Sequence, residues 1–311
     1  MTVLAECIPN VSEGRRSHVI DTLAAGFAAY PDVHLLHGHS DADHNRTVFT
    51  LIGPPPALLD AVFELYERAV ETIDMREQRG VHPRVGAVDV CPFVPLAAHG
   101  TTMDDCRGLA RRLSMAVADR FGLPVLLYRE SAVVDTRRNL AAVRRGQFEG
   151  LAERLALPEW APDLGPAEPH PTAGATIIGA RPPLVAFNVV LATDDAAVAR
   201  EVAAQVRESS GGMPGLRAMG VTLRSRSLAQ VSMNIERYDL TPVHEVVSAV
   251  VAAAAERGVE VVESELVGLM PRAAAEGHAE GKLLLGQLRE TDLLEGAIAA
   301  ALSARQVRGN R

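Results

Sequence analysis

A histidine, an arginine and an aspartate fall close together in the stretch Val81-His82-Pro83-Arg84-Val85-Gly86-Ala87-Val88-Asp89-Val90. A residue before proline is pushed into an extended backbone, so the ring of His82 leaves any helix. Imidazole titrates near neutrality, which suits it to take up a proton and give it back. Arg84 follows two residues on and can point the same way. Asp89 lies in the next strand, where a carboxylate could orient the imidazole. His82, Arg84 and Asp89 are therefore the candidate catalytic residues. The plainer alternative for His82 is a turn histidine bonded to a backbone carbonyl.

A second cluster is His39-Ser40-Asp41-Ala42-Asp43-His44-Asn45-Arg46. Its carboxylates and imidazoles, His39, Asp41, Asp43 and His44, could hold a divalent metal. Their spacing fits no standard zinc or calcium loop, and a polar hairpin turn rich in Asp and Asn is ordinary. No metal is expected. Asn45 and Arg46 offer amide and guanidinium donors suited to a carboxylate; with Asp43 and Asn10 they form the candidate substrate-binding set. Asn10 belongs to Pro9-Asn10-Val11-Ser12-Glu13-Gly14, which ends the first strand and opens the first helix. That stretch reads as an N-cap by Ser12 or as an anion or amide site at a helix N-terminus. In Thr172-Ala173-Gly174-Ala175-Thr176, glycine lets backbone approach a ligand closely. Arg207 to Gly212 reads as a helix end.

These segments sit in a chain of 311 residues, long enough for two ordinary domains. Hydrophobic residues make up 48% and charged residues 23%, a globular composition. Aromatics are only 4%, so Ala, Val and Leu must build the core. A net charge of −8 argues against a general nucleic-acid binder, although an acidic chain can still hold a local basic cleft. Cys7, Cys91 and Cys106 form no CxxC pair and read as free thiols of a reducing compartment. No apolar run reaches the ~18 residues of a membrane span, and the N-terminus lacks a signal-peptide pattern. The expected location is the cytoplasm.

The elements that must position the clusters follow from periodicity. Val3–Ile8, Val33–His39, Arg46–Ile52, Ala87–Val94 and Pro124–Tyr128 read as strands. Arg15–Ala29, the stripe Leu58 to Ile73, and Met103–Phe121 read as helices. Residues 157–176 crowd Pro158, Pro162, Gly165, Pro166, Pro169, His170 and Pro171, and read as a linker or functional loop. Beyond it come a strand at Leu184–Ala192, a helix through Val198, Val202 and Val206, strands at Leu216–Leu223 and Ala229–Ile235, a helix at Val243–Ala255 and a strand at Val259–Val262. Helical sequence is expected from there to about Leu302. Both halves read strand–helix–strand–strand–helix–strand, the split βαβ order. The expected fold is an α/β (α+β sandwich) class, two βαββαβ-like subdomains, residues 1–178 and 179–311, with facing sheets and a ligand cleft between them.

Taken together, the segments resemble the glutamate formimidoyltransferase family. The stretches that carry the likeness are Glu6 to Gly14, Asp43 to Val48, His82-Pro83-Arg84 through Pro95, Pro162 to Pro166, Gly174-Ala175-Thr176 through Asn188, Gln230 to Asn234, and Ser264 to Leu269. They cover nearly the whole chain in order, and the likeness is to a monofunctional form, without the cyclodeaminase domain fused to it in animals. The resemblance implies transfer of the formimidoyl group of N-formimidoyl-L-glutamate to N5 of tetrahydrofolate, a late step of histidine breakdown. It implies that His82 is the family's catalytic histidine. It implies tetrahydrofolate as co-substrate, contacted by Asp163, Leu164, Gly165, Pro166, Ala167, Glu168, Pro169, His170, Pro171 and Thr172, with Gly174 beside them. The turn before Asn45 is richer in His and Asp than in the animal form, and Pro166–Pro171 also departs from it. The expected partners are small molecules, with neither nucleic acid nor membrane, and a homodimer is the candidate assembly. The rivals are an N-formyl-L-glutamate transferase using the same residues, a metallohydrolase built on His39, Asp41, Asp43 and His44, and a non-catalytic folate-binding module.

Overall fold

The computed structural model describes residues 2–309, and side chains as far as residue 304. The chain divides into two compact units between Pro182 and Pro183.

The first unit is built on one seven-stranded sheet. Strands β1 (Ala5–Cys7) and β2 (Asn10–Val11) are two pieces of a single track, because both pair antiparallel with β4 (Arg46–Gly53) and with β5 (Val88–Pro95). Pro9 lies in the gap, where no ladder N–H is available. β3 (His34–Asp41) pairs with β4 at the edge. With helices α1 (Ser17–Gly26) and α2 (Pro55–Thr72), these strands make the expected βαββαβ order. The sheet then continues beyond β5 by two parallel strands, β7 (Thr176–Ala180) and, outermost, β6 (Val125–Arg129). Helix α3 (Met103–Phe121) supplies the crossover. Since β7 spans residue 178 and is hydrogen-bonded into this sheet, it belongs wholly to the first unit.

Local chemistry fixes the helices. α3 opens on a capping box, with Thr102 accepting from the Asp105 N–H at 3.2 Å and Asp105 accepting from the Thr102 N–H at 2.8 Å. It closes on Gly122, at φ 63°. α1 differs from the Ser12 cap read in the sequence. Ser12 lies ahead of the helix and donates to the Gly86 carbonyl, while Glu13 Oε1 accepts the N–H groups of Arg15 and Arg16 at 2.8 and 2.9 Å. The three helices bury Leu23, Leu58, Val62, Leu65, Tyr66, Leu109 and Leu113 against one face of the sheet. The other face is covered near β5, β7 and β6 by a segment holding α4 (Leu140–Val143) and α5 (Leu151–Leu155), through Val143, Leu151 and Leu155 on Val90, Leu126 and Ile177. Cys7, Cys91 and Cys106 are free and buried, with Cys7 and Cys91 sulfurs 3.5 Å apart. Burial pushes the Cys7 thiol well up and Cys106 to about 12.

The second unit is a four-stranded antiparallel sheet in the order β11 (Val261–Val267), β8 (Val185–Leu191), β10 (Leu228–Ile235), β9 (Leu216–Leu223). With α6 (Ala196–Val206) and α7 (Val243–Ala255) it is a complete βαββαβ unit. Phe187, Val189, Val231 and Met233 pack on Val202, Val206, Val246 and Val250. One expectation fails here. Residues after β11 are not helical as far as Leu302. They run through short 3-10 turns before α8 (Leu294–Gly309). Gly268, Gly277 and Gly281 all have positive φ, and Pro271 follows the first of them, so no helix can propagate.

Candidate active site

Four loops of the first unit are braided together at the ends of its strands. The loop after β2 is tied to the one before β5 by the Ser12 hydroxyl donating to the Gly86 carbonyl at 2.7 Å and the Ser12 N–H to Ala87 at 2.9 Å. Asn45 ties in the β3–β4 turn. Its Oδ1 accepts the Gly14 N–H and its Nδ2 donates to the Arg79 carbonyl, both at 2.9 Å. Asn45 holds φ 50°, a left-handed conformation that asparagine tolerates better than most residues. The fourth strand of the braid is the segment before β7, with Ala87 donating to Ala173 at 2.9 Å and Ala175 to Val85 at 3.1 Å. Backbones approach so closely that a Cβ on Gly86 would stand 1.8 Å from the Ala175 carbonyl oxygen, and one on Gly80 2.2 Å from that of His44. Glycine is the residue that fits at both places.

His82 sits in this braid, 8% exposed. Its Nε2 meets Arg46 Nη1 at 2.6 Å. A guanidinium only donates, so Nε2 presents its lone pair and the ring proton belongs on Nδ1. The Pro83 backbone, whose carbonyl is its one polar group, bonds the imidazole as well. The ring of His44 stacks beside it, centroids 5.8 Å apart. Burial, then Arg46, Arg144 and His44, hold His82 well below the usual histidine range. It is a neutral imidazole at neutral pH, with a basic nitrogen on one defined side.

The other sequence-derived candidates divide. Arg46 meets the His82 ring directly. Arg84 is buried and committed. Its Nε donates to Gln78 at 2.7 Å, and its fork grips Glu149 at 2.8 and 2.7 Å. That guanidinium drives Glu149 down to about 2. Asp89, read in the sequence as a partner for the imidazole, is spent elsewhere: Oδ1 accepts the Val85 N–H at 2.8 Å and Oδ2 binds Arg144. Asn10 turns back on the Ile8 carbonyl at 3.0 Å. Asp43 contributes its carbonyl to the braid, accepting from Val81 at 3.0 Å. Asp41 accepts the His44 N–H at 2.7 Å, a turn contact. Among the described residues no group of three or more His, Cys, Asp or Glu side chains could hold a metal ion.

The segment from Asp163 to Gly174 is anchored at both ends. Asp163 accepts from Leu127 at 2.7 Å and pairs with Arg137, and Leu164 accepts from Val125. Gly165, Pro166, Ala167 and Glu168 are exposed, Pro169 is half-buried and Pro171 is exposed. The His170 ring accepts the Ala173 N–H at 3.0 Å, and its backbone exchanges two bonds with Gly174. Thr172 accepts from Met75 at 2.7 Å. The far end of this segment thus joins the His82 braid, while the near end lies on edge strand β6. Sequence reasoning missed Arg144, Glu149 and Gln78. Arg144 and Glu149 flank a two-residue left-handed turn, Gly146 and Gln147, and no spacing in the sequence links them to residues near 84.

Residues 4–181 match the formiminotransferase domain, N-terminal subdomain, and residues 186–281 match the formiminotransferase domain. The chain belongs to the formiminotransferase family. It is 44% identical over 280 residues to the glutamate formimidoyltransferase of Streptococcus pyogenes, covering 90% of this chain and 93% of that protein. It is 39% identical to the glutamate formimidoyltransferase of Thermoplasma acidophilum, covering 94% and 96%. The formimidoyltransferase-cyclodeaminase of Sus scrofa is 40% identical, and the match covers 87% of this chain but 51% of that longer protein. As a formiminotransferase-family member the chain is a transferase, and its braided loops all lie within the N-terminal subdomain match. No described helix is long and apolar enough to cross a membrane.

Proposed function

We propose that the chain moves the formimidoyl group of N-formimidoyl-L-glutamate to N5 of tetrahydrofolate, releasing L-glutamate, as a late step of histidine breakdown. The observation that carries this reading is the neutral, enclosed imidazole of His82 with its Nε2 lone pair facing Arg46, in a chain of this family. His82 takes the proton that N5 sheds as N5 bonds the formimidoyl carbon. The imidazolium then returns that proton to the glutamate nitrogen as its bond to the carbon breaks, so protons balance over the cycle. Arg46 binds a substrate carboxylate, which draws it from Nε2 and bares the base. Asn45 and Asp43 hold the turn that aims Arg46. Arg84 acts one step back, by fixing the His82 loop through Gln78 and Glu149. The exposed run from Gly165 to Glu168, with Thr172 at the braid, is where tetrahydrofolate would lie, and Asp163 holds that loop in place. No step calls on a metal. The three free thiols fit a reducing cytoplasm.

The test is a steady-state assay with N-formimidoyl-L-glutamate and tetrahydrofolate, chelator present, following 5-formimidoyltetrahydrofolate. Product is expected. No product from this donor, with turnover of N-formyl-L-glutamate instead, would replace the donor; no product from either would overturn the transferase chemistry proposed for His82.

A further inference from the structure

Arg181, directly after β7, is 8% exposed. Its backbone N–H continues the ladder by bonding the Phe93 carbonyl at 3.1 Å. Nη1 donates to the Pro182 carbonyl at 2.9 Å. Nε and Nη2 have no partner among the described residues and, unlike the sealed Nε of Arg137, both keep access to the surface. Those two nitrogens form the guanidinium edge by which Arg237 grips Asp239 and Arg289 grips Asp292. Arg84 and Arg137, comparably buried, each have a carboxylate; among the described residues Arg181 has none. A buried charge without a counter-charge is costly, so this edge is suited to an anion from outside. Tyr128 stands beside it. It pairs with Gly179 across the β6–β7 ladder, and Arg181 follows that glycine two residues on, on the same face. The ring leans over the glycine, where a Cβ would lie 2.7 Å from Cδ1. Burial pushes the phenol up to about 12, against the pull of Arg181, Arg129 and Arg144, so it stays a proton donor at neutral pH. Its hydroxyl too is unbonded among the described residues and reaches the surface.

We propose that Arg181 and Tyr128 form a carboxylate-binding site, in which the Nε–Nη2 edge takes the two oxygens and the phenol donates a third bond. This rests on the transferase reading, in which both substrates carry glutamyl carboxylates. Position separates the two. The His82 braid lies ahead of β5 and β7, whereas Arg181 follows β7, about 20 Å along the strand from Ala175. N-formimidoyl-L-glutamate held at His82 is too short to reach that far. Tetrahydrofolate carries its glutamate at the opposite end from N5, so the site takes the tail of the acceptor. Arg46 is left for the donor.

The experiment is anaerobic equilibrium dialysis of tetrahydrofolate, and of tetrahydropteroate, which lacks the glutamate, against wild type, Arg181→Gln and Tyr128→Phe with no donor present. Wild type is expected to bind tetrahydrofolate about tenfold more tightly than tetrahydropteroate. Arg181→Gln is expected to weaken tetrahydrofolate about tenfold and leave tetrahydropteroate unchanged, erasing the preference. Tyr128→Phe keeps the ring packing. It is expected to weaken tetrahydrofolate about threefold with the same selectivity, and it decides the matter if Arg181→Gln does not fold. Unchanged tetrahydrofolate affinity in a folded variant, equal loss for both ligands, or a wild type blind to the tail would overturn the proposal. So would weaker binding of N-formimidoyl-L-glutamate with tetrahydrofolate unaffected, which would give the site to the donor. Because this readout needs no turnover, it separates failure of the Arg181 site from failure of the transferase reading, which the activity assay judges.

Discussion

The two units share a βαββαβ plan and differ in what they bury. In the second, the buried polar side chains among the described residues are Asn188, Gln230, Thr241 and Ser264, none of them ionisable. In the first, Glu6, Glu13, His44, His82, Arg84, Asp89, Arg137 and Arg181 are all below 9% exposed. Burying a charge is costly unless it is paired, so the first unit carries a cost that its twin avoids. It offsets that cost with pairs such as Arg84–Glu149, Arg144–Asp89 and Arg137–Asp163. The same topology can be a packing exercise or a frame for chemistry, and the difference lies in its loops.

The sharpest way to break this comparison is His82→Ala. We expect kcat to fall by about 10²–10⁴ while the protein still folds, since the backbone bonds that tie its loop to the braid remain in place. A large loss of stability with activity retained would mean that His82 is a structural residue. Next in size, Gly86→Ala and Phe187→Ala set one unit against the other. Phe187→Ala should cost about 3–5 kcal/mol of stability and leave the His82 titration unchanged. Gly86→Ala places a methyl inside the Ala175 carbonyl and should disturb that titration as well as lower the midpoint. Equal effects on His82 would erase the distinction between core and braid. The smallest effect is expected from Glu149→Gln. Glu149 has its folded pKa depressed by Arg84, so its contribution is present above the ordinary carboxylate range and is lost as pH falls toward about 2. Its exposed side chain limits the gain to about 1 kcal/mol. Urea midpoints of wild type and variant should differ near neutrality and converge in acid.

How much of this could be read beforehand depended on range. Met103–Phe121 and Val243–Ala255 are legible to the residue, because their apolar stripes lie within the helices themselves. The sequence singles out His82 because a proline follows it, and the structure buries that ring in the braid. The stretch after Val267 was misread as helix: its composition suits one, and the glycines that interrupt it act through φ values invisible in composition. Asp89 reads in the sequence as a carboxylate that could orient His82. Its true partner, Arg144, lies 55 residues away, and only the packing of α4 over the sheet brings it there.

The three cysteines have a practical consequence. All are buried, and burial keeps Cys7 and Cys106 far from the thiolate form. The chain is thus nearly silent toward maleimides as it stands. A single cysteine introduced at an exposed site, such as Glu168→Cys, would be the one fast-reacting thiol. Its labelling rate would then report, without touching the native sulfurs, when that loop becomes covered.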